Sequence, residues 1–302
     1  MEKSAQNKLT RFSDIFDSPL SVVCNDAGAA NLIVNWLDGY KYNVFPCVEG
    51  PAKKIWNSKF PNSKLLSLND ALKKSKVLLS GTGWSSDLEH NARVQARISK
   101  MTSVAVIDHW TSYQKRFIRN KKEVLPDLIL VGDKYAKKKA DNIFPCTRVE
   151  ELENTYLNNE TKKVMSMRVS NVNKSPRKIL AVMEPFRERR DNGDSLEFTS
   201  LKYLISNLSK VTKDESVEIC LRMHPSESIG KYDYFVKKYP NIKISNNIQL
   251  HSDLAWADLV VGMQSFAMVV SQHCNIPTIS IIPPDSIRCV LPYREILSLR
   301  DL

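Results

Sequence analysis

Residues 257–284 constrain the fold more than any other stretch. Leu259-Val260-Val261 is short, β-branched and apolar, the pattern of a strand buried on both faces. Gly262 ends it. Ser265 is a good helix N-cap, and Phe266 to His273 contains no helix breaker. Asn275-Ile276-Pro277 stops that helix, and Thr278 to Ile282 reads as the next strand. The result is a βαβ unit, which requires a parallel sheet. Unpaired N–H groups and the positive end of the helix dipole then lie beside Gln264 and Ser265, a natural seat for a phosphate. The run Val217 to Met223 is another strand, closed by His224-Pro225. His224 therefore falls on the edge where open α/β sheets take their ligands.

Upstream, strands and helices alternate in the same way. Leu20 to Cys24, Val44 to Val48, Val77 to Ser80, Ser103 to Ile107, Leu128 to Val131 and Thr147 to Leu152 read as strands, with a short one also expected from Lys64 to Leu68. Alternation of this kind means a parallel sheet with helices on its faces. Polar and unusual residues recur where the strands end: Asp26, Glu49, Trp84, Asp108, His109 and Asp133. In a parallel sheet those ends share one edge. Asp26 leads into Gly28-Ala29-Ala30-Asn31, small residues that let backbone or ligand approach closely. The loop Gly81-Thr82-Gly83-Trp84 follows the third strand, and Asp108-His109-Trp110 a later one.

With 302 residues the chain is long enough for two medium domains. Residues 1–157 are expected to form the first, the polar stretch 158–176 a linker, and residues 177–302 the second, with five strands beginning at Lys178, Val217, Ile242, Leu259 and Thr278. No run of about 18 apolar residues suggests a membrane span. The first twenty residues hold no apolar signal core, and the six cysteines are scattered, so reduced thiols and a cytoplasmic setting are expected. Net charge is +11, and nine Lys or Arg fall between Lys115 and Lys139 against three acids. Such a run is usually a solvated face. Its functional readings are peripheral attraction to anionic lipid at the inner membrane face or to a negatively charged substrate. No nucleic-acid-binding signature is present, and neither are CxxC, HExxH, Walker or Gly-x-Ser-x-Gly motifs.

A His-Pro pair ending a strand, then a strand-Gly-x-x-Ser-helix unit, then a Pro-led strand, resembles the C-terminal half of GT-B glycosyltransferases. The bacterial sialyltransferase and Kdo-transferase types are most similar. The likeness covers roughly residues 176–302, and the family's Ser-Ser or Ser-Thr pair stands here as Gln264-Ser265. It implies two Rossmann-like domains with mainly parallel sheets facing across a cleft. It also implies a metal-independent transfer of sugar, from a nucleotide-sugar donor such as a CMP-sugar, to a surface-glycan or glycolipid acceptor. No cofactor and no metal are expected; the absence of Asp-x-Asp disfavours the metal-dependent alternative fold.

On that reading His224, Pro225, Gly262, Gln264 and Ser265 hold the donor, and Arg187, after Glu184-Pro185-Phe186, is placed to meet phosphate. Asp26 is the first choice for a general base and Asp108 or His109 the second. Gly28, Asn31, Gly83, Trp84 and Trp110 border the acceptor, the two indoles offering a stacking face. Each residue also has a plain structural reading: Asp26 and Ser265 as caps, His224 as a hydrogen-bonded strand end, the tryptophans as small local cores. Two other functions fit the same architecture. One is an epimerase or hydrolase acting on the nucleotide sugar itself, and the other is a binding protein without catalysis.

Overall fold

The computed structural model describes residues 11–168, 175–186, 195–213 and 216–302. The chain forms two compact units that divide between Tyr156 and Leu157. Among the described residues of the first unit, eight strands are present: β1 (Leu20–Cys24), β2 (Val44–Val48), β3 (Val77–Ser80), β4 (Thr102–Ile107), β5 (Ile118–Arg119), β6 (Lys122–Glu123), β7 (Leu128–Val131) and β8 (Arg148–Glu151). Six form one sheet in the order β2-β1-β3-β4-β7-β8, parallel at every pairing. The short β5 and β6 form a separate antiparallel pair.

All five residues of β1 are buried, because helices cover both faces of the sheet. Val22 and Cys24 point into one core, with Ala29, Ile33 and Trp36 of the helix Ala27–Trp36 and with Trp56. Val23, between them, points into the other, with Leu78, Ala92 and Ala96. This is the period-two alternation of a strand resolved onto two apolar layers.

Among its described residues the second unit has six strands: β9 (Lys178–Val182), β10 (Glu218–Arg222), β11 (Ile242–Ile244), β12 (Leu259–Gly262), β13 (Thr278–Ser280) and β14 (Leu297–Ser298). Their order is β11-β10-β9-β12-β13-β14, again parallel throughout. Numbered within the unit this is 3-2-1-4-5-6, the doubly wound order of nucleotide-binding sheets. The chain reverses direction across the sheet between β9 and β12. In the first unit it does so between β1 and β3. Ligands of such sheets bind outside the carboxyl ends of the strands flanking that reversal.

Several expectations need correction. Residues 64–67 form no strand; a helix starts at Leu68 with Ser67 as its cap, and only the Leu66 N–H bonds to β2, at Pro46 O. The second unit has a sixth strand, β14, only two residues long and without a readable pattern. Of the stretch expected to be a polar linker, residues through Met167 belong to the helix Thr155–Met167, whose Leu157, Glu160 and Val164 are buried. All six cysteines are free thiols, with Cys146 exposed and Cys24, Cys47 and Cys274 buried. Among the described residues no helix is long and apolar enough to cross a membrane.

Candidate functional site

In the first unit the sequence brings its polar residues to the reversal point. β1 ends at Cys24, and Asp26 caps the following helix, its carboxylate 3.5 Å from the Ala29 N–H. That bond is long for a cap, so the carboxylate is held mainly by its surroundings. β4 ends one residue before Asp108. Gly28 lies against that carboxylate: a Cβ there would stand 1.8 Å from Asp108 Oδ2. A Cβ on Gly83, after β3, would stand 2.9 Å from the Asp26 Cβ. Both glycines are thus required by close approach rather than by backbone angle. Asp26, Gly28, Gly83 and Asp108 form one cluster.

A residue the sequence reading passed over completes it. Arg116 is 7% exposed. Its Nη1 donates to Asp108 Oδ1 at 2.7 Å and to Thr82 Oγ1 at 3.0 Å, while Nε donates to Thr111 O at 3.1 Å. Thr82 in turn donates to Val106 O at 2.8 Å, tying the arginine to β4. The two carboxylates are driven apart as a consequence. Burial, then the Asp108 charge, pushes Asp26 up to about 7 against the opposing pull of Arg116. Burial also acts to raise Asp108, but Arg116, with His109 beside it, holds that carboxyl below its usual range. Asp108 is therefore the fixed anion and Asp26 the group that exchanges a proton near neutral pH. Two carboxyls separated in this way are the arrangement from which acid–base roles are built.

The other residues singled out in this unit are placed as follows. His109 Nδ1 lies 3.2 Å from Thr111 Oγ1, with its ring edge-on to Trp110. Trp110 itself is buried, and its indole N–H donates to Asp133 Oδ1 at 3.3 Å, so its faces pack in protein. Trp84 is 43% exposed in the loop after β3. Asn31 lies one turn beyond Gly28 on the same helix and is half-buried, its carbonyl accepting from Asn35 Nδ2. The basic run Lys115–Lys139 is not one solvated face. Besides Arg116, Arg119 donates to Gly83 O at 2.8 Å and pairs with Asp87.

Because Asp108 is clamped by Arg116, it cannot move aside for a larger residue at position 28. At an ordinary helical position Gly→Ala gains about 1 kcal/mol. Here Gly28→Ala is expected to destabilise by about 1–3 kcal/mol, as read from denaturant unfolding of the two proteins. A stabilised variant would mean that Asp108 is not held where it stands.

In the second unit the corresponding edge carries three features. Gly262 ends β12 because a Cβ there would meet Val182 O at 3.0 Å and Met268 Sδ at 2.9 Å. Ser265 caps the helix Phe266–His273, accepting from the Ala267 N–H at 3.3 Å. Between them, Gln264 is buried, and its backbone N–H donates to Glu184 Oε1 at 2.6 Å, across the reversal between β9 and β12. Burial pushes Glu184 up to about 7, with Glu227 and Glu197 adding to it. Near neutrality Glu184 is thus partly protonated. The sequence reading missed this residue, although it directly follows Met183 at the end of a strand.

His224 sits one strand over, after β10. The Ser226 backbone N–H donates to its Nδ1 at 3.2 Å, and the Ser226 hydroxyl lies 2.7 Å from the same atom. The neutral imidazole therefore carries its proton on Nε2. Its own backbone N–H donates to Glu227 Oε2 at 2.8 Å, and Glu227 is pinned by Lys231 and Tyr232. Pro225 is exposed at the start of that turn. Arg187 lies outside the described residues.

No protein-family model and no curated protein matches the chain. Solved structures do. A protein described as a UDP-N-acetylglucosamine 2-epimerase from Listeria monocytogenes aligns with a TM-score of 0.54 at 13% identity, over 87% of this chain and 78% of that one. A glycosyltransferase from Streptomyces nogalater aligns at 0.46 and 9%, over 90% and 83%. The E. coli ADP-heptose heptosyltransferase II aligns at 0.45 and 10%, over 93% and 90%. The two six-stranded parallel sheets, the second in doubly wound order, and the alignment with the Listeria protein together make this a GT-B type of fold, built from two Rossmann-like units.

Proposed function

We propose that the protein transfers a glycosyl group from a nucleotide sugar to an acceptor hydroxyl, with Asp26 as general base. The observation that carries this reading is the separation of the two carboxyls: Asp108 held ionised by Arg116, and Asp26 with a proton affinity near neutrality. A base of that strength can take the acceptor proton as the glycosidic bond forms. In the second unit, the positive end of the helix Phe266–His273 and the imidazole of His224 attract the nucleotide phosphate. Their part is to stabilise charge on the departing phosphate oxygen. A CMP-linked donor, and a surface-glycan or glycolipid acceptor, are the specific forms we infer from the His224-Pro225 and Ser265 motifs. The net charge of +11 supports docking at an anionic membrane surface where such acceptors reside.

Thermal shift with CMP, CDP, UDP and GDP tests the donor half. One of the four is expected to raise Tm, and His224→Ala should lose most of that rise. In turnover, His224→Ala should cost about tenfold or more, about 1.4 kcal/mol of transition-state stabilisation. Full activity in the variant would make His224 a structural residue.

A second reading is favoured by the alignment with the Listeria protein, which is named as a nucleotide-sugar epimerase. On that reading Asp26 serves an enzyme that rearranges or hydrolyses the nucleotide sugar itself. Incubation without acceptor separates the two readings: an epimer or free sugar formed at the full rate supports the second.

A further inference from the structure

Glu89 stands in the first turn of the helix Leu88–Ile98 and is completely removed from solvent. A carboxyl in that position is costly unless it does something for its neighbours. Two glycines make room for it. A Cβ on Gly81 would stand 3.1 Å from Glu89 Oε1, and one on Gly83 3.3 Å from it. Oε1 accepts the Asn25 N–H at 2.8 Å, one residue before Asp26. Oε2 is closed to solvent and has no hydrogen-bond partner among the described residues. Arg93, one turn along the same helix, directs its Nη1 to Ser80 Oγ and Gly81 O instead. The carboxyl is too enclosed to touch a substrate, yet it grips the turn that carries the base.

We propose that Glu89 is a positioning residue for Asp26: from the neighbouring helix its buried carboxyl holds the Asn25 N–H and so fixes the turn that carries Asp26. The catalytic consequence rests on Asp26 being the base; the electrostatic one does not. The groups around Asp26 are Cys24 on its own strand, Glu89 from the helix, Asp108 after β4, Arg116 bound to Asp108, and Arg119 bound to Gly83 O. Asp108 and Glu89 act to raise Asp26, and Arg116 opposes them. Glutamine at position 89 keeps an acceptor for the Asn25 N–H and removes only the charge.

The test is a carboxyl-carbon NMR titration of full-length protein labelled at aspartate, with the Asp26 signal assigned by its loss in Asp26→Asn. In Glu89→Gln the Asp26 midpoint is expected to fall, by less than the Asp108 charge raises it. In Glu89→Asp, which keeps the charge one methylene further off, it should fall by less. The acid limb of kcat/KM should move with the midpoint, a change that loss of packing alone does not produce. An unmoved midpoint in whichever of the two variants folds overturns the proposal. A midpoint that falls while the rate profile stays still upholds the role of Glu89 and removes Asp26 as the base.

Discussion

Asp26→Asn is expected to lower turnover by about a hundredfold to ten-thousandfold, the usual contribution of a positioned general base. Donor binding should survive, because the residues proposed to hold the nucleotide belong to the other unit. The same substitution should stabilise the fold in a pH-dependent way. In the folded chain Asp26 is pushed up to about 7, against about 4 when unfolded. Between those values the native state binds more protons than the unfolded one, so this group withdraws stability as pH rises from about 4 to about 7. The cost is then fully present above pH 7. Asparagine cannot ionise. The variant should therefore exceed the wild type in unfolding free energy at pH 8, by an amount that vanishes near pH 4. A variant that is less stable at pH 8 would show that the Asp26 carboxylate supports the fold instead of burdening it.

Arg116→Met should have the second large effect, in the opposite direction. The Arg116–Asp108 pair is nearly enclosed, with side chains 9% and 13% exposed. Removing one partner of such a pair typically costs about 3–5 kcal/mol, because the other charge is left unmatched. Here the sign with pH is also fixed. The folded Asp108 titrates below its ordinary value, so its pairing contributes stability above about pH 4 and loses it as pH falls through the folded value. Without Arg116, burial acts on Asp108 against only the weaker pull of His109 and a backbone hydrogen bond, and its proton affinity rises. The deficit of Arg116→Met should thus be largest at pH 7 to 8 and shrink as pH falls and Asp108 takes up its proton. Asp26 also loses its one strong opposing charge, so the acid limb of kcat/KM should shift to higher pH. Denaturant unfolding at pH 8 and at pH 5 reads the first effect. Equal deficits at pH 8 and pH 5 would contradict the ion-pair account.

The sheet edges were legible because strand ends announce themselves. Asp26, Gly28, Gly83 and Asp108 each follow an apolar β-branched run, and the structure gathers all four. That the second sheet is parallel follows from the same alternation of strands and helices; its strand order does not. What stayed hidden reaches the cluster from outside the strand ends. Arg116 lies in a 3₁₀ turn within a basic run that reads as solvated surface. Its signal is the flanking pair Tyr113 and Phe117, both buried, which carry that turn inward. Glu89 and Arg93 share a helical stripe with Ala92 and Ala96, the face that packs on the sheet. Charged residues at core positions of a helical period were the available sign. Trp110 misled in the other direction. As a large aromatic in a loop it suggested a stacking face, whereas its indole is closed in against Asp133.

The central claim is a transfer reaction that uses Asp26 as its base. Its most direct test is incubation of the protein with a labelled nucleotide sugar, chosen by the thermal-shift screen, with and without a glycan or glycolipid acceptor. The account predicts label in the acceptor for the wild type, at a rate that rises with pH through about 7, and almost none for Asp26→Asn. Label appearing as an epimer or free sugar independently of acceptor, or transfer at the wild-type rate by Asp26→Asn, would contradict it.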